Sequence, residues 1–341
     1  MAALTEADTR SRMTAPRAAP RKSFWRLTNP YLYIIPAMVV MAVMTYYPMA
    51  FGLWMSFTDY GLKNLRVDSP LPNFVGLDNY ADILSGAVPI PNFDFVYTLF
   101  FNLFWTFSNV VFHVVIGVLI AVLLNAKGLW FKGVYRAIFI LPIVLPTLVV
   151  ANVWRNMYDP DFGALNQGLA MLGGLVGFSP ATFHIRWMES VNPPIPGLPL
   201  PLSYFALLIT NIWLGWPFMT IVATGALQSI SKDYYEAASI DGASPSQQFF
   251  NITVPLLRPA MVPAIVYGIT LTFNLFNLIY FVSGGGPLRQ TEILVTTAFR
   301  LVNEQRLYGI AAAFAVYIAI ILLIITLITN RISRATESYD V

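Results

Sequence analysis

Six long apolar runs restrict this chain to a small number of folds. Each run reaches about 20 residues, which is the length of helix that crosses the hydrocarbon core of a bilayer. In lipid the backbone satisfies its polar groups only within helices or closed barrels, and runs of this length favour helices. Only 11% of the residues are charged, against about 25% in soluble domains. We therefore expect an all-α membrane protein with six transmembrane helices, at residues 31–57, 99–124, 135–157, 204–227, 261–281 and 308–329.

The lysine and arginine residues are divided unevenly between the two sides of such a bundle. With the N-terminus inside, 13 of the 20 lie in inner segments and 7 in outer segments. The positive-inside rule then places both termini and the loop at 231–255 in the cytoplasm. We expect residues 1–29, which hold six of the basic residues, to be a disordered tail rather than a signal peptide. Residues 30–331 would form the membrane domain, and residues 332–341 a second cytoplasmic tail.

The polar segment at 231–255 carries helix signals at close spacing. Ser231 is a suitable N-cap, and Asp233 follows in the first turn, where the helix dipole favours an acid. Gly242 stands where this helix should stop, since glycine adopts the left-handed conformation at small cost. The sequence predicts a second short helix with Ser244 as N-cap, Pro245 as first residue, Gln247 completing a capping box, and Pro255 and Pro259 ending it.

The order of residues in this segment resembles the EAA loop of permease subunits in binding-protein-dependent ABC importers. That motif is Glu-Ala-Ala, three residues, Gly, nine residues, then Ile, one residue and Leu-Pro. The chain matches it at Glu236, Ala237, Ala238, Gly242, Ile252 and Pro255, with Val254 in place of leucine. The resemblance implies coupling to a cytoplasmic ATPase through Glu236, Ala237, Ala238, Asp241, Gly242 and Pro255. The alternative is a capped surface loop without a partner.

Other segments resemble the carbohydrate branch of that family, and the maltose-type permeases in particular. The segments that carry this likeness are residues 74–80, 135–136, 141–142, Pro146, 284–287, 291–294 and 308–313. The resemblance implies the six-helix permease core, without the extra N-terminal helices and large outer domain of the enterobacterial maltose protein.

Uncharged polar side chains interrupt the fourth and fifth apolar runs. Thr270, Asn274 and Asn277 are spaced by three or four residues and are expected to share one helix face. Amides both donate and accept hydrogen bonds, which suits the hydroxyl groups of a neutral sugar. Asparagines that only join helices are the alternative. The resemblance favours a sugar site and implies contacts from Thr147, Asn211, Leu214, Gly215, Phe218, Thr270, Phe273, Asn274 and Asn277.

Several functional classes lack the residues that they require. The chain has no cysteine, and no lysine follows a glycine as a P-loop demands. His113 and His184 are far apart, so we expect no metal site. We expect His113 to pack between helices, and the alternative is a functional role for this ionisable residue within the membrane. The six runs hold no carboxylate, which argues against a proton-coupled or sodium-coupled carrier. The acids of the outer loops show no paired spacing for catalysis; they serve solubility or form a docking rim.

The resemblance therefore implies a permease subunit, not an enzyme, in the inner membrane of a bacterium or archaeon. It would form the pathway for a neutral oligosaccharide such as maltose, maltodextrin or trehalose together with a second homologous permease chain. A dimer of ATP-binding subunits would bind ATP, so this chain would need no cofactor, and an extracytoplasmic solute-binding protein would deliver the sugar. No nucleic acid is expected as a partner. The alternatives are an ABC permease for another solute, such as glycerol phosphate, and a membrane glycosyl or acyl transferase.

Overall fold

The computed structural model describes residues 24–66, 68–126 and 128–333. The described residues do not include most of the basic N-terminal tail, Lys127 or the C-terminal tail from residue 334 onward. The expectations for these segments therefore stay predictions. By its internal contacts the chain divides into two units, one ending at Gly52 and the other beginning at Leu53.

The described part of the first unit, from Phe24 onward, is a single helical path. Helix α1, Phe24–Met41, passes through a π-helical turn at Ala42–Tyr46 and continues as α2, Tyr47–Met55, whose last residues belong to the second unit. The ring of Tyr47 stacks on the ring of Phe51 one turn later, with centroids 6.3 Å apart. This path contains the first apolar run.

The second unit consists of helices joined by loops. Within the described residues its nearest approach to a strand is one antiparallel bridge between Thr58 and Phe74. Its helices are α3 Asp78–Ser85, α4 Phe95–Asn125, α5 Lys132–Val144, α6 Thr147–Met157, α7 Ala164–Leu175, α8 Leu202–Ser229, α9 Lys232–Ile240, α10 Pro245–Gln248, α11 Val254–Phe273, α12 Phe276–Leu278, α13 Leu294–Asn303 and α14 Tyr308–Ser333. Short 3₁₀ turns lie at Leu62–Asn64 and Pro180–Phe183, and π-helical turns at Phe249–Thr253 and Ile279–Ser283.

Five helical segments of the described chain are long and apolar enough to cross a membrane, and a sixth forms if the pair α5–α6 counts as one span. The five are Leu32–Met55, Phe95–Asn125, Leu202–Ser229, Pro245–Ser283 and Tyr308–Thr329. They coincide with five of the six apolar runs, which confirms the predicted all-α membrane fold.

The third apolar run is not the single straight helix that its length predicts. Helices α5 and α6 meet at an angle of 96°. Leu145, which joins them, has φ −78° and ψ 130°, because a proline pushes the residue before it out of the helical region. Pro146 then caps the start of α6. Hydrophobicity sets the length of an apolar run, and the proline sets where the helix breaks.

Helices α4 and α8 pack against each other along the centre of the second unit. Phe101 and Trp105 of α4 and Tyr204 and Leu207 of α8 are all buried in one hydrophobic cluster. Gly117 of α4 brings the two backbones close, since a Cβ there would overlap the neighbouring helix. In lipid the hydrophobic effect does not drive helices together, so close packing of this kind and interhelical hydrogen bonds must do so.

Helix α4 also holds the end of α11. The last carbonyl groups of a helix have no partners within it. The side-chain amide of Asn102 donates to the carbonyl oxygen of Phe273 at 3.1 Å, and the indole nitrogen of Trp105 donates to that of Thr272 at 3.2 Å. Asn102 Oδ1 accepts from the backbone N–H of Leu294 at 3.0 Å. One buried side chain thus connects α4 with the end of α11 and the start of α13.

Candidate functional site

The first half of the polar segment folds as predicted. Ser231 Oγ accepts a hydrogen bond from the backbone N–H of Asp233 at 3.3 Å and caps α9. At the other end Gly242 has φ +80°. The N–H of Ala243 donates to the carbonyl of Ala238 at 2.9 Å, and that of Gly242 to Ser239 at 3.2 Å. This pair of bonds around a left-handed glycine is the Schellman motif, and it explains why the helix stops there.

The second half begins as predicted but ends differently. Ser244 and Gln247 form the capping box, with the N–H of Ser244 donating to Gln247 Oε1 at 2.8 Å. The expectation that Pro255 and Pro259 end this helix is wrong, because α10 passes through the π turn at Phe249–Thr253 into α11, which contains both prolines. A proline lacks an N–H and crowds the turn before it. The wider π turn directly before Pro255 gives the ring room.

Side-chain hydrogen bonds fasten α9 to the helix that follows. The hydroxyl groups of Tyr235 and Thr253 lie 3.0 Å apart. Gln248 Nε2 donates to Ser239 Oγ at 3.0 Å and to the carbonyl of Ala243 at 3.2 Å. Helix α9 is therefore attached to the α10–α11 path at two positions one turn apart, Tyr235 and Ser239.

The opposite side of α9 is open. Glu236 and Ala237 are exposed, Ala238 is half-buried, and Asp241 at the C-terminal end is exposed. Two apolar side chains on this short helix were not among the predicted coupling residues: Tyr234, with 58% of its surface exposed, and Ile240, with 87%. Their hydrophobic character within a polar segment was the available signal. A protein that packed on this side of α9 would cover both apolar side chains.

The candidate residues of α8 are one buried asparagine and three residues that pack against neighbouring side chains. Asn211 is buried, and its carbonyl oxygen lies 2.8 Å from Nε2 of His113 on α4. Its side-chain nitrogen Nδ2 has no hydrogen-bond partner in the part of the chain that the structure describes. Gly215 lies against the ring of His113. Leu214 and Phe218 are half-buried at the edges of two hydrophobic clusters.

The candidate residues after α8 do not share one helix face. Helix α11 ends at Phe273; Asn274 has φ −102° and ψ 22°, and α12 starts only at Phe276. The expectation that Thr270, Asn274 and Asn277 share a face is therefore wrong for Asn277, which is exposed on α12. Asn274 Nδ2 donates to the carbonyl of Thr270 at 3.3 Å, which keeps these two side chains together. The structure places Phe273 in the core, where 1% of it is exposed.

Helix α6 brings the remaining candidate near this break. Thr147 is its first residue and is half-buried. Helix α6 packs against α12 and against the π turn at Ile279–Ser283. The rings of Trp154 of α6 and Trp213 of α8 lie 6.1 Å apart. The elements that carry Thr147, Asn277 and the α8 residues are therefore neighbours.

A buried ion-pair cluster that the sequence did not predict follows the π turn at Ile279–Ser283. Glu292 is 2% exposed and accepts from Arg289 Nη1 at 2.9 Å and from Arg300 Nε. Arg300 also donates to Glu304 Oε1 at 2.6 Å and to the carbonyl of Gly284 at 2.6 Å. The local signals were the three-residue spacing of Arg289 and Glu292 and the four-residue spacing of Arg300 and Glu304. Neither spacing indicates that Glu292 is buried.

The charges of this cluster compensate one another. Partial burial works to lower the pKa of Arg300, but the carboxylates of Glu292 and Glu304 outweigh burial, and the pKa is raised. Arg300 therefore stays charged beside the buried acid. A buried carboxylate is tolerated in this way, because it is both paired and hydrogen-bonded.

Comparisons with known proteins agree with this architecture. The family model described as the binding-protein-dependent transport system inner membrane component matches residues 113–338. The chain is 32% identical over 304 residues to the galactooligosaccharides transport system permease protein GanP of Bacillus subtilis, covering 87% of this chain and 68% of that protein. It is 32% identical over 304 residues to the trehalose/maltose transport system permease protein MalF of Thermococcus litoralis, covering 89% and 93% of the two chains.

A solved structure has a similar fold. It is that of a bacterial ABC transporter involved in the import of the acidic polysaccharide alginate, with a TM-score of 0.72 and 21% sequence identity. The match covers 92% of this chain and 99% of that chain. The shared fold therefore extends well beyond the segment that the family model matches.

Proposed function

The chain belongs to the family of binding-protein-dependent transport system inner membrane components, and we propose that it forms a membrane pathway for a neutral oligosaccharide. It is a permease subunit of an ABC importer and not an enzyme. One observation carries the choice of substrate: α8 and residues 259–283, which hold eight of the nine candidate site residues, contain no charged side chain. Sugar hydroxyls need hydrogen-bonding groups but no opposite charge.

Asn211 supports this proposal. Its buried Nδ2 group has no partner among the described residues, and a buried donor left unmet costs about 1–3 kcal/mol. A sugar hydroxyl in the pathway can accept from it. Asn274 and Thr270 on α11 supply further donors and acceptors, and Asn277 on α12 is exposed to receive a ligand.

The coupling helix α9 is attached to the continuous helical path that leads to the substrate segment. Helix α9 carries Glu236 and is fastened by Tyr235 and Ser239 to α10–α11. That path runs without a break from Pro245 to Phe273 and ends beside Asn274. An ATPase that moves α9 would thereby move the substrate segment as a rigid body. This role of Glu236, Ala237, Ala238, Asp241, Gly242 and Pro255 is part of the proposal.

The proposed assembly contains three kinds of protein partner. A second homologous permease chain completes the pathway, and a dimer of ATP-binding subunits binds ATP and the exposed face of α9. An extracytoplasmic solute-binding protein delivers the sugar on the other side. The lysine and arginine distribution supports an inner-membrane orientation with both termini in the cytoplasm.

The test is transport by the whole complex in liposomes. The permease pair and ATPase are reconstituted with the binding protein, and both uptake and stimulated ATP hydrolysis are measured with maltose, maltotriose, trehalose, a galactooligosaccharide and glycerol 3-phosphate. We expect stimulation by at least one neutral saccharide and none by glycerol 3-phosphate. Stimulation by glycerol 3-phosphate alone would contradict the proposal.

A further inference from the structure

A polar cavity of about 350 Å³ lies at the end of the helices opposite to α9. Small-molecule sites usually enclose about 300–1,000 Å³, so this space suits one small unit of a larger ligand. It lies where the end of α6 and the two loops around α7 meet the end of the π turn at Ile279–Ser283. Its lining includes Arg155, Asn156, Tyr158, Asp159, Trp187 and Ser283.

The aromatic wall of the cavity is held in place by the protein itself. Trp187 Nε1 donates to Asn166 Oδ1 at 2.9 Å, and its ring lies 5.5 Å from that of Tyr158. Tyr158 is 1% exposed, and its hydroxyl donates to the carbonyl of Ala206 at 2.7 Å. Asn166 Nδ2 also binds the carbonyls of the two loops, at Pro160 and Ile185. A half-buried Trp187 fixed in this way loses little conformational entropy when a ligand binds.

The polar wall offers unused hydrogen-bonding capacity. Asp159 Oδ1 accepts from the backbone N–H groups of Asp161 at 2.9 Å and Phe162 at 2.8 Å, while Oδ2 has no partner in the described ranges. Arg155 forms no hydrogen bond or ion pair within those same ranges and is exposed at the cavity wall. Donors and acceptors therefore face the same space.

The charges around the cavity cancel. Arg155 and Arg186 carry two positive charges, Asp159 and Glu189 carry two negative charges, and Arg186 Nε pairs with Glu189 Oε2 at 3.1 Å. An ionic ligand would meet no net opposite charge here. An uncharged ligand with several hydroxyl groups and one apolar face would match the polar groups and the indole ring together.

The cavity adjoins the candidate transport pathway. Its third wall is formed by Val282, Ser283 and Gly284, the end of the segment that begins with Asn277 and α12. Arg300 donates to the carbonyl of Gly284 at 2.6 Å and so connects this wall to the buried Glu292 cluster. A ligand in the cavity would contact the segment that carries candidate sugar-binding residues.

We propose that this cavity is a carbohydrate-binding subsite that holds one sugar ring of the transported oligosaccharide at the entrance of the pathway. The ring packs on Trp187, and its hydroxyl groups bind Arg155, Asn156 and the free oxygen of Asp159. The inference rests on the proposed function, since it requires that the substrate be a neutral saccharide. It adds a receiving site, at the ends of the spanning segments and in the adjoining loops, to the residues proposed above.

Thiol labelling in the whole complex tests this site, because the chain has no cysteine of its own. Glu189→Cys places a thiol at the cavity, and Asp78→Cys, at an exposed position of α3, is the control. The complex is labelled in liposomes without the binding protein, with and without maltotriose. At a maltotriose concentration of twice its dissociation constant, about one third of the sites are free. Labelling of Glu189→Cys should therefore slow by about threefold, and labelling of Asp78→Cys should stay unchanged.

Two further substitutions identify the groups responsible. Trp187→Ala should abolish the protection and Trp187→Phe should retain it, while Arg155→Leu, at an exposed side chain, should weaken protection without affecting folding. Unchanged labelling with maltotriose, in vesicles whose wild-type complex transports maltotriose, would overturn the subsite alone. In a separate sample the sugar-free binding protein is added in place of maltotriose. If it protected Glu189→Cys as well as maltotriose does, the cavity would be a docking surface for that protein and the subsite would be overturned too. A wild-type complex that transports no neutral saccharide would overturn the proposed function as well.

Discussion

The imidazole ring of His113 occupies the space that a side chain at Gly215 would need. A Cβ built on Gly215 overlaps the ring atoms of His113 on the facing helix. Nε2 of the same ring lies 2.8 Å from the carbonyl oxygen of Asn211, one turn earlier on α8. His113 is thus a packing residue that joins α4 to α8, and Gly215 is the position that admits it.

Gly215→Ala should therefore separate α4 from α8 and destabilise the protein. Overpacking of this kind costs about 1–3 kcal/mol. The measurement is the thermal unfolding midpoint of the purified complex. Gly225→Ala is the matched control, since Gly225 lies on the same helix with open space around it. Equal midpoints for the two variants would contradict this packing, and His113→Ala combined with Gly215→Ala should recover part of the loss.

Arg300→Gln should destabilise the segment after the fifth span. The substitution leaves the buried Glu292 carboxylate with Arg289 alone and frees the carbonyl of Gly284. Removing one partner of a buried pair costs about 3–5 kcal/mol, and we expect the lower end because Arg289 remains. Arg306→Gln at an exposed site is the control. Proteolysis and thermal unfolding of the complex report the difference; a variant as stable as Arg306→Gln would show that the cluster contributes little.

Gly242→Val should uncouple sugar transport from ATP hydrolysis or release the ATPase. Nothing lies within 4 Å of a Cβ at Gly242, so the effect comes from the backbone, at about 1–2 kcal/mol for a left-handed conformation. Gly242→Asn should be tolerated, because asparagine adopts that conformation more readily. ATPase co-purification and sugar-stimulated hydrolysis are the readouts. Wild-type behaviour of Gly242→Val would show that coupling does not need the bend at Gly242. Glu236→Ala is expected to show a weaker form of the same defect.

Asn274→Ala should weaken sugar uptake while leaving the complex assembled. The lost amide would leave a substrate hydroxyl unmet, at a cost of about 1–3 kcal/mol. Asn303→Ala removes a similar local bond, from Nδ2 to the carbonyl of Phe299, on α13 instead, and serves as the control. Uptake at limiting maltotriose is compared with the yield of assembled complex. If uptake matched that of the control variant, Asn274 would be assigned to helix packing.

Single cysteines at Lys232 and Asp78 should report opposite sides of the membrane. Both positions are exposed, on α9 and α3, and the positive-inside rule places Lys232 in the cytoplasm. In intact cells an impermeant thiol reagent should label Asp78→Cys and reach Lys232→Cys only after the membrane is opened. The reverse pattern would invert the topology.

Local chemistry determined much of this protein from its sequence. Apolar runs of about 20 residues predict membrane helices because their side chains alone decide the transfer into lipid. The caps at Ser231, Gly242 and Ser244 were predictable for a similar reason, since each is closed by hydrogen bonds between residues at most five positions apart. The order of Glu236, Ala237, Ala238 and Gly242, which identified the family, is also a short-range pattern.

Tertiary structure decided what depends on residues far apart in the chain. The end of α11 is held by Asn102 and Trp105, about 170 positions earlier. The residue spacing around Asn274 therefore gave no sign that α11 ends there and that Asn277 lies on another helix. Glu292 pairs with Arg300, eight positions later, and no three-residue or four-residue helix spacing indicates that pair. The cavity forms only where Trp187, Arg155 and Ser283, from three separate segments, meet. Such contacts depend on packing between elements, which short-range sequence patterns do not encode.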